Sequence, residues 1–137
     1  DVAWSCKTAW PGKEFLATDV CVPISQLAAA VMETHEDVKR LGLTAPIVGH
    51  VGDGNFHTTP IVDRSNPKEM AAMEEFLTRL AERAIRMEGT CTGEHGIGQG
   101  KQKYLKAEHG EGVDVMKTIK KALDPDNIFN PGKIFAL

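Results

Sequence analysis

No stretch of this chain approaches the roughly 20 consecutive apolar residues needed to span a bilayer, so nothing in it is expected to cross a membrane. Charge of one sign is missing too: 16 lysines and arginines face 19 aspartates and glutamates, a formal charge of -3. The lysines of "GKQKYLK" and "KTIKK" are interleaved with apolar residues at helical spacing, which argues against a nucleic-acid footprint. Cysteine is scarce and scattered. Cys6, Cys21 and Cys91 form no C-x-x-C pair, so neither a disulfide framework nor a thiolate zinc site is expected, and a reducing compartment is. There is no initiating methionine, no targeting peptide, no internal repeat and no low-complexity segment. The opening "DVAWSCKTAWPGKEF" mixes polar and aromatic residues without clear periodicity, so residues 1–17 read as a poorly defined segment of a truncated chain and residues 18–137 as the domain proper.

What is present is one domain of ordinary size. Its 137 residues, 42% apolar and 26% charged, are enough to bury a core without disulfide or metal staples. "TDVCVPI" predicts a strand with Thr18 to Val22 as its centre, ended by Pro23. Ser25 is placed to cap a helix whose face carries Leu27, Val31, Val38 and Leu41, stopped by Gly42. "APIVGHV" and "FHTTPIV" read as two strands joined by the turn "GDGN", with Pro60 marking an edge or bulge. "NPKE" starts the next helix with Asn66 as cap, Pro67 at the first position and Glu69 at the third. Met70, Met73, Phe76, Leu77, Leu80, Ala84 and Ile85 then form a broad stripe of core residues ending at Gly89. A short strand in "GTCTGEHGIGQGK" runs into a glycine-rich loop, and Val113, Met116, Ile119 and Leu123 predict a last helix closed by "DPDN". The order β-α-β-β-α-β predicts an α+β fold: a ferredoxin-like split sheet, helices on one face, and a C-terminal helical tail.

"GHVGDGNFHTT" carries the first chemical signal. If Gly52 to Asn55 form the loop, Val51 faces Phe56 and His50 faces His57, both imidazoles on one face and close enough to share a metal ion. From these eleven residues alone, two ordinary histidines in an Asp-Gly hairpin are the simpler reading. Glu94 and His95, at the far end of the last predicted strand, add to it: two imidazoles and a carboxylate are a three-ligand set that leaves positions open for water or substrate. If Glu94 is a ligand, His95 is available for acid-base work, its ordinary pKa near 6.5 being suited to neutral pH; an inert loop residue is the alternative. "GEHGIGQGK" is no phosphate loop, because Gly100 and Lys101 are followed by Gln102 rather than Ser or Thr, and no strand-G-x-G-x-x-G-helix unit with a downstream acid exists.

"TDVCVPIS", "GHVGDGNFH", "GTCTGEHGIGQGK" and "LDPDNIFNPGKIF", in this order over residues 18–135, resemble the C-terminal domain of FAD-linked oxidases of the vanillyl-alcohol oxidase type, in its D-lactate dehydrogenase branch. The resemblance implies a flavoenzyme oxidising a small D-2-hydroxy acid to the 2-oxo acid, with FAD held mainly on an N-terminal domain absent from this chain. It also implies His50, His57 and Glu94 as ligands of a divalent metal, zinc or manganese, and His95 as catalytic base. Thr59 falls where relatives place an asparagine against substrate, and Asn130 in "FNPGK" matches a residue expected near the flavin. Ala17 stands where D-2-hydroxyglutarate dehydrogenases carry a lysine for the second carboxylate, which favours a monocarboxylic substrate such as D-lactate. A glycolate oxidase subunit and a non-catalytic metal-binding module are the competing readings. A homodimer is compatible with this reading. The corresponding location is cytoplasmic or peripheral to the inner membrane in a bacterium, and mitochondrial in a eukaryote.

Overall fold

Five short strands and five helices make up the chain, in a computed structural model that describes residues 2–137 and, of residues 2–4 and 7, only the backbone. They fall into two compact units, one ending at Gly93 and the other beginning at Glu94.

The first unit contains α1 (Val2–Ala9), β1 (Glu14–Phe15), β2 (Val20–Cys21), α2 (Ile24–Arg40), β3 (Ile47–His50), β4 (Asn55–Thr58), β5 (Ile61–Val62) and α3 (Pro67–Arg86). β1 pairs with β5, and a second antiparallel sheet has the order β2-β4-β3. Thus β2 and β3, joined through α2, flank β4 rather than each other. The α+β class expected from the sequence is the one observed. The strand expected in "GTC" is reduced to one bridge, Thr90 to Cys21, on the free side of β2. The reason is local: the Thr90 hydroxyl donates to the Thr92 carbonyl at 3.0 Å and accepts from the Thr92 N–H at 3.2 Å, turning the chain away from the ladder.

Strand alternation gives the sheet two different faces. Val20 and Phe56 join Leu27 and Ala30 of α2, Phe76, Leu80 and Ala84 of α3, and Met87 in the buried core. Asp19, Cys21, Val48, His50, Asn55 and His57 occupy the opposite face.

Local signals set the helix starts. Asn66 caps α3 as expected, its side-chain oxygen accepting from the N–H groups of Lys68 and Glu69 at 3.0 and 3.4 Å. For α2 the cap moves from the expected Ser25 to Pro23, because Pro23 with its fixed φ offers its carbonyl to the Gln26 N–H at 2.7 Å and starts the first turn two residues earlier. The buried line of α2 is Leu27, Ala30, Thr34 and Asp37. Its polar end meets the buried Arg83 of α3, which donates to Asp37, to Glu33 at 3.0 Å and to the Thr34 hydroxyl at 3.0 Å. Arg79 adds a bond to Asp37 at 2.7 Å.

The second unit contains α4 (Gln102–His109) and α5 (Gly112–Leu123). The Gln102 amide donates to the carbonyls of Gly98 and Gly132 at 3.2 and 2.6 Å, tying the glycine-rich loop to the C-terminal segment. Asp124 closes α5, its carboxylate accepting from Lys120 and from the N–H groups of Ile128 and Phe129, both at 2.9 Å.

Candidate functional site

The histidine hairpin is displaced by one residue at each arm from its expected register. Its loop is Val51 to Gly54, a single 3-10 turn over Val51–Asp53 followed by Gly54 at φ 72°. Gly54 lies beneath Val22: its carbonyl accepts the Val22 N–H at 3.0 Å, and a Cβ on it would sit 2.0 Å from the Val22 carbonyl oxygen. That contact ends the turn at Gly54 and brings Asn55 into the strand. His50 consequently faces Asn55 and His57 faces Val48, so the expected direct pairing of the two histidines is replaced by a diagonal one. They still share a face, because moving both arms by one residue preserves the parity of the pairing. The ring centroids are 5.9 Å apart with planes at 88°, and a ring nitrogen of one lies within 4.8 Å of a ring nitrogen of the other.

His57 is half-buried and His50 exposed. The Nδ1 of His57 is 3.0 Å from the Thr18 carbonyl oxygen. A carbonyl only accepts, so Nδ1 donates the proton of this bond, the kind of second contact that fixes the ring of a metal-binding histidine.

Three further polar side chains share this face and were not singled out by sequence. Asp19 is fully buried at 0% exposure, an unusual condition for a carboxylate. Its Oδ1 accepts the Gly93 N–H at 2.9 Å and its Oδ2 the Thr92 hydroxyl at 3.1 Å. Asn55, expected in the loop, is buried opposite both Cys21 and His50, and its Oδ1 has no hydrogen-bond partner. Cys21 donates to the Asp53 carbonyl at 3.3 Å; burial, then the charges of Asp19 and Asp53, pushes its thiol pKa up. A polar residue alternating with valines in "TDVCV" was the available signal for Asp19.

The remaining expected residues are placed as follows. Thr59 is buried just beyond β4 and its N–H donates to the Pro46 carbonyl at 3.0 Å. Ala17 is exposed. In the second unit, Glu94 and His95 are exposed with Oε1 and Nε2 3.9 Å apart, and Asn130 is exposed at φ 48°, its carbonyl accepting the Lys133 N–H at 3.2 Å.

The first unit is thus an antiparallel sheet with helices on one face and both histidines on the other, an α+β arrangement. The chain belongs to the family described as FAD linked oxidases, C-terminal domain, whose model matches residues 7–134. Among curated relatives, a probable mitochondrial D-lactate dehydrogenase of Danio rerio is 48% identical over 98% of this chain and 28% of its own. The mitochondrial D-lactate dehydrogenase [cytochrome] of Arabidopsis thaliana is 43% identical over 98% of this chain and 24% of its own. The glycolate oxidase subunit GlcD of Bacillus subtilis is 42% identical over 86% and 25%. The chain therefore spans about a quarter of the length of these relatives. A solved 4-ethylphenol oxidase from Gulosibacter chungangensis shares the fold, with a TM-score of 0.63 over 94% of this chain and 26% of its own at 18% identity. Among the described residues no helix is long and apolar enough to cross a membrane.

Proposed function

We propose that residues 18–137 are the substrate, or cap, domain of a flavin-dependent D-2-hydroxy acid dehydrogenase that converts D-lactate to pyruvate. The observation that carries the reading is the His50–His57 pair: two imidazoles 5.9 Å apart on one face, one with its tautomer set by the Thr18 carbonyl. Such a donor set fits a divalent ion, with Glu94, the residue directly after the anchored Gly93, as third ligand. Imidazole and carboxylate suit zinc and manganese alike. When bound, the ion supplies Lewis-acid polarisation of the substrate hydroxyl and carboxylate oxygens. FAD, held on the remainder of the longer protein, supplies the acceptor for the Cα hydride.

This chain's own residues bind and orient the substrate and move one proton. His57 and His50 present their rings on the face opposite the core, and His95 takes the hydroxyl proton at a ring nitrogen. Thr59 contacts the substrate and Asn130 lies near the flavin. A short, exposed Ala17 offers nothing to a second carboxylate, which favours a monocarboxylic acid. The order Thr90-β2-β4-β3 supports describing the first unit as a ferredoxin-like sheet. A mitochondrial location is supported by the names of the Danio and Arabidopsis relatives. A homodimer is compatible with the exposed apolar stripe Val115, Ile119 and Leu123 along α5.

Glycolate oxidation is the second reading, favoured by the Bacillus subtilis relative. Turnover of D-lactate against glycolate, by this chain within a protein that includes the FAD domain, separates the two. The metal reading is tested by metal content of the purified chain: loading in wild type, reduced in His50→Ala and Glu94→Ala to weak binding that only titration detects, is expected, and unchanged loading in both variants refutes it. The isolated chain is expected to be inactive; tight, stoichiometric FAD binding with lactate-dependent bleaching refutes that part.

A further inference from the structure

We propose that Asp19 is a positioning residue for this site: its buried carboxylate fixes the backbone from which Glu94 projects, and so sets the affinity of the metal ligands. The inference rests on the metal reading above and concerns a residue that reading does not use.

Its grounds are geometric. Asp19 is entirely buried on the histidine face, yet its two oxygens accept from the Gly93 N–H at 2.9 Å and the Thr92 hydroxyl at 3.1 Å. Burial without compensation is unfavourable for a carboxyl group, so the two bonds it accepts from a short loop make a stiff anchor. The fit at Gly93 is close on two sides. A Cβ there would stand 2.6 Å from Asp19 Oδ1 and 2.7 Å from Asn55 Oδ1, so only glycine lets the backbone enter this notch. Asn55 is in turn the register partner of His50. Asp19 is one residue beyond the Val20 to Phe56 pair, which places it opposite His57 in the ladder, and the preceding residue, Thr18, supplies the carbonyl that holds His57 Nδ1. The dipeptide Thr18-Asp19 therefore grips both halves of the ligand set: the ring of His57 through its carbonyl, and the chain leading into Glu94 through its carboxylate. Partners of this kind typically change metal affinity by about 10–100-fold when removed.

The test is a Zn²⁺ titration of the chain against a chromophoric chelator, with amide exchange at Gly93 followed by NMR. Asp19→Ala is expected to weaken Zn²⁺ by about 10–100-fold and to accelerate Gly93 exchange. Asp19→Asn recovers most of the affinity, since an amide oxygen still accepts the Gly93 N–H. In a Glu94→Ala background, adding Asp19→Ala costs less than about 2-fold, because a residue that acts through Glu94 has nothing left to position. If Asp19→Ala does not fold, Thr92→Val replaces it: it removes only the hydroxyl on Oδ2, with a several-fold loss expected in the wild type and none in Glu94→Ala. Unchanged affinity, a penalty that persists undiminished without Glu94, or an Asn variant as weak as Ala overturns the proposal. If instead His50→Ala and Glu94→Ala bind Zn²⁺ as the wild type does, the metal reading itself falls and the positioning role with it, while Gly93 exchange still decides separately whether Asp19 anchors the loop.

Discussion

Replacing Asp37 by leucine removes the centre of the polar cluster between α2 and α3. Asp37 and Arg83 are both about 95% buried, and Arg79 and Arg40 reach the same carboxylate from the solvent side at 2.7 and 3.4 Å. Without Asp37 the Arg83 guanidinium stays buried with Glu33 at 3.0 Å and the Thr34 hydroxyl at 3.0 Å. Breaking one side of a buried pair costs about 3–5 kcal/mol, and the remaining Glu33 contact places this loss at the lower end, about 3 kcal/mol. For a unit of this size that lowers the thermal midpoint by about 12 °C, taking about 4 °C per kcal/mol. The double variant Asp37→Leu/Arg83→Met removes both buried charges and is expected within about 1 kcal/mol of wild type, since an apolar pair escapes the desolvation cost. Thr34 loses little in that variant, because its hydroxyl also donates to the Ala30 carbonyl at 2.6 Å. Thermal unfolding followed by circular dichroism at neutral pH measures all three. A double variant as unstable as the sum of Asp37→Leu and Arg83→Met would refute the account, because the two groups would then not depend on each other.

The same cluster makes stability depend on pH. Burial pushes the Asp37 carboxyl up, but hydrogen bonds from Arg83 and Arg79 outweigh it and leave the pKa below its ordinary 3.8; the bond from Arg83 is the main cause that lowers Glu33 below 4.5. Both pKa values are depressed on folding, so their contribution is complete above the ordinary carboxylate values and is lost as pH falls through the lower folded ones. Urea midpoints are expected to fall steeply below about pH 4.5, and less steeply in Asp37→Leu; equal slopes in the two proteins would contradict the assignment. Gly54→Ala meets both a left-handed backbone at φ 72° and the Val22 carbonyl 2.0 Å from the new Cβ. A loss of about 3 kcal/mol in urea unfolding, with loss of metal loading through the displaced histidines, is expected, and a loss under about 1 kcal/mol would show that the turn does not depend on this contact.

What could be read in the sequence was governed by neighbours along the chain. Asn66-Pro67 marks a helix start because the cap bonds span only three residues, and "GDGN" marks a turn because its residues tolerate tight backbone. The shared face of His50 and His57 follows from strand alternation, and survives any register change that moves both arms together. Their diagonal placement does not follow, because it depends on Gly54 lodging under Val22, more than thirty residues away. Ser25 failed as a cap because Pro23 offered its carbonyl first, and "GTC" failed as a strand because the Thr90 hydroxyl claimed the Thr92 backbone.

By itself, then, the sequence determined the α+β class, the hairpin, the helix that carries the core stripe, and the histidines and carboxylate offered to a site, since periodicity and turn chemistry are properties of short segments. Only the tertiary structure decided the register of the histidines, the tautomer of His57, the burial of Asp19 against Gly93, and the pairing of Asp37 with Arg83. Each of these joins residues more than 30 positions apart, and a hydrogen bond or a steric contact over that separation is set by packing, for which local pattern carries no signal.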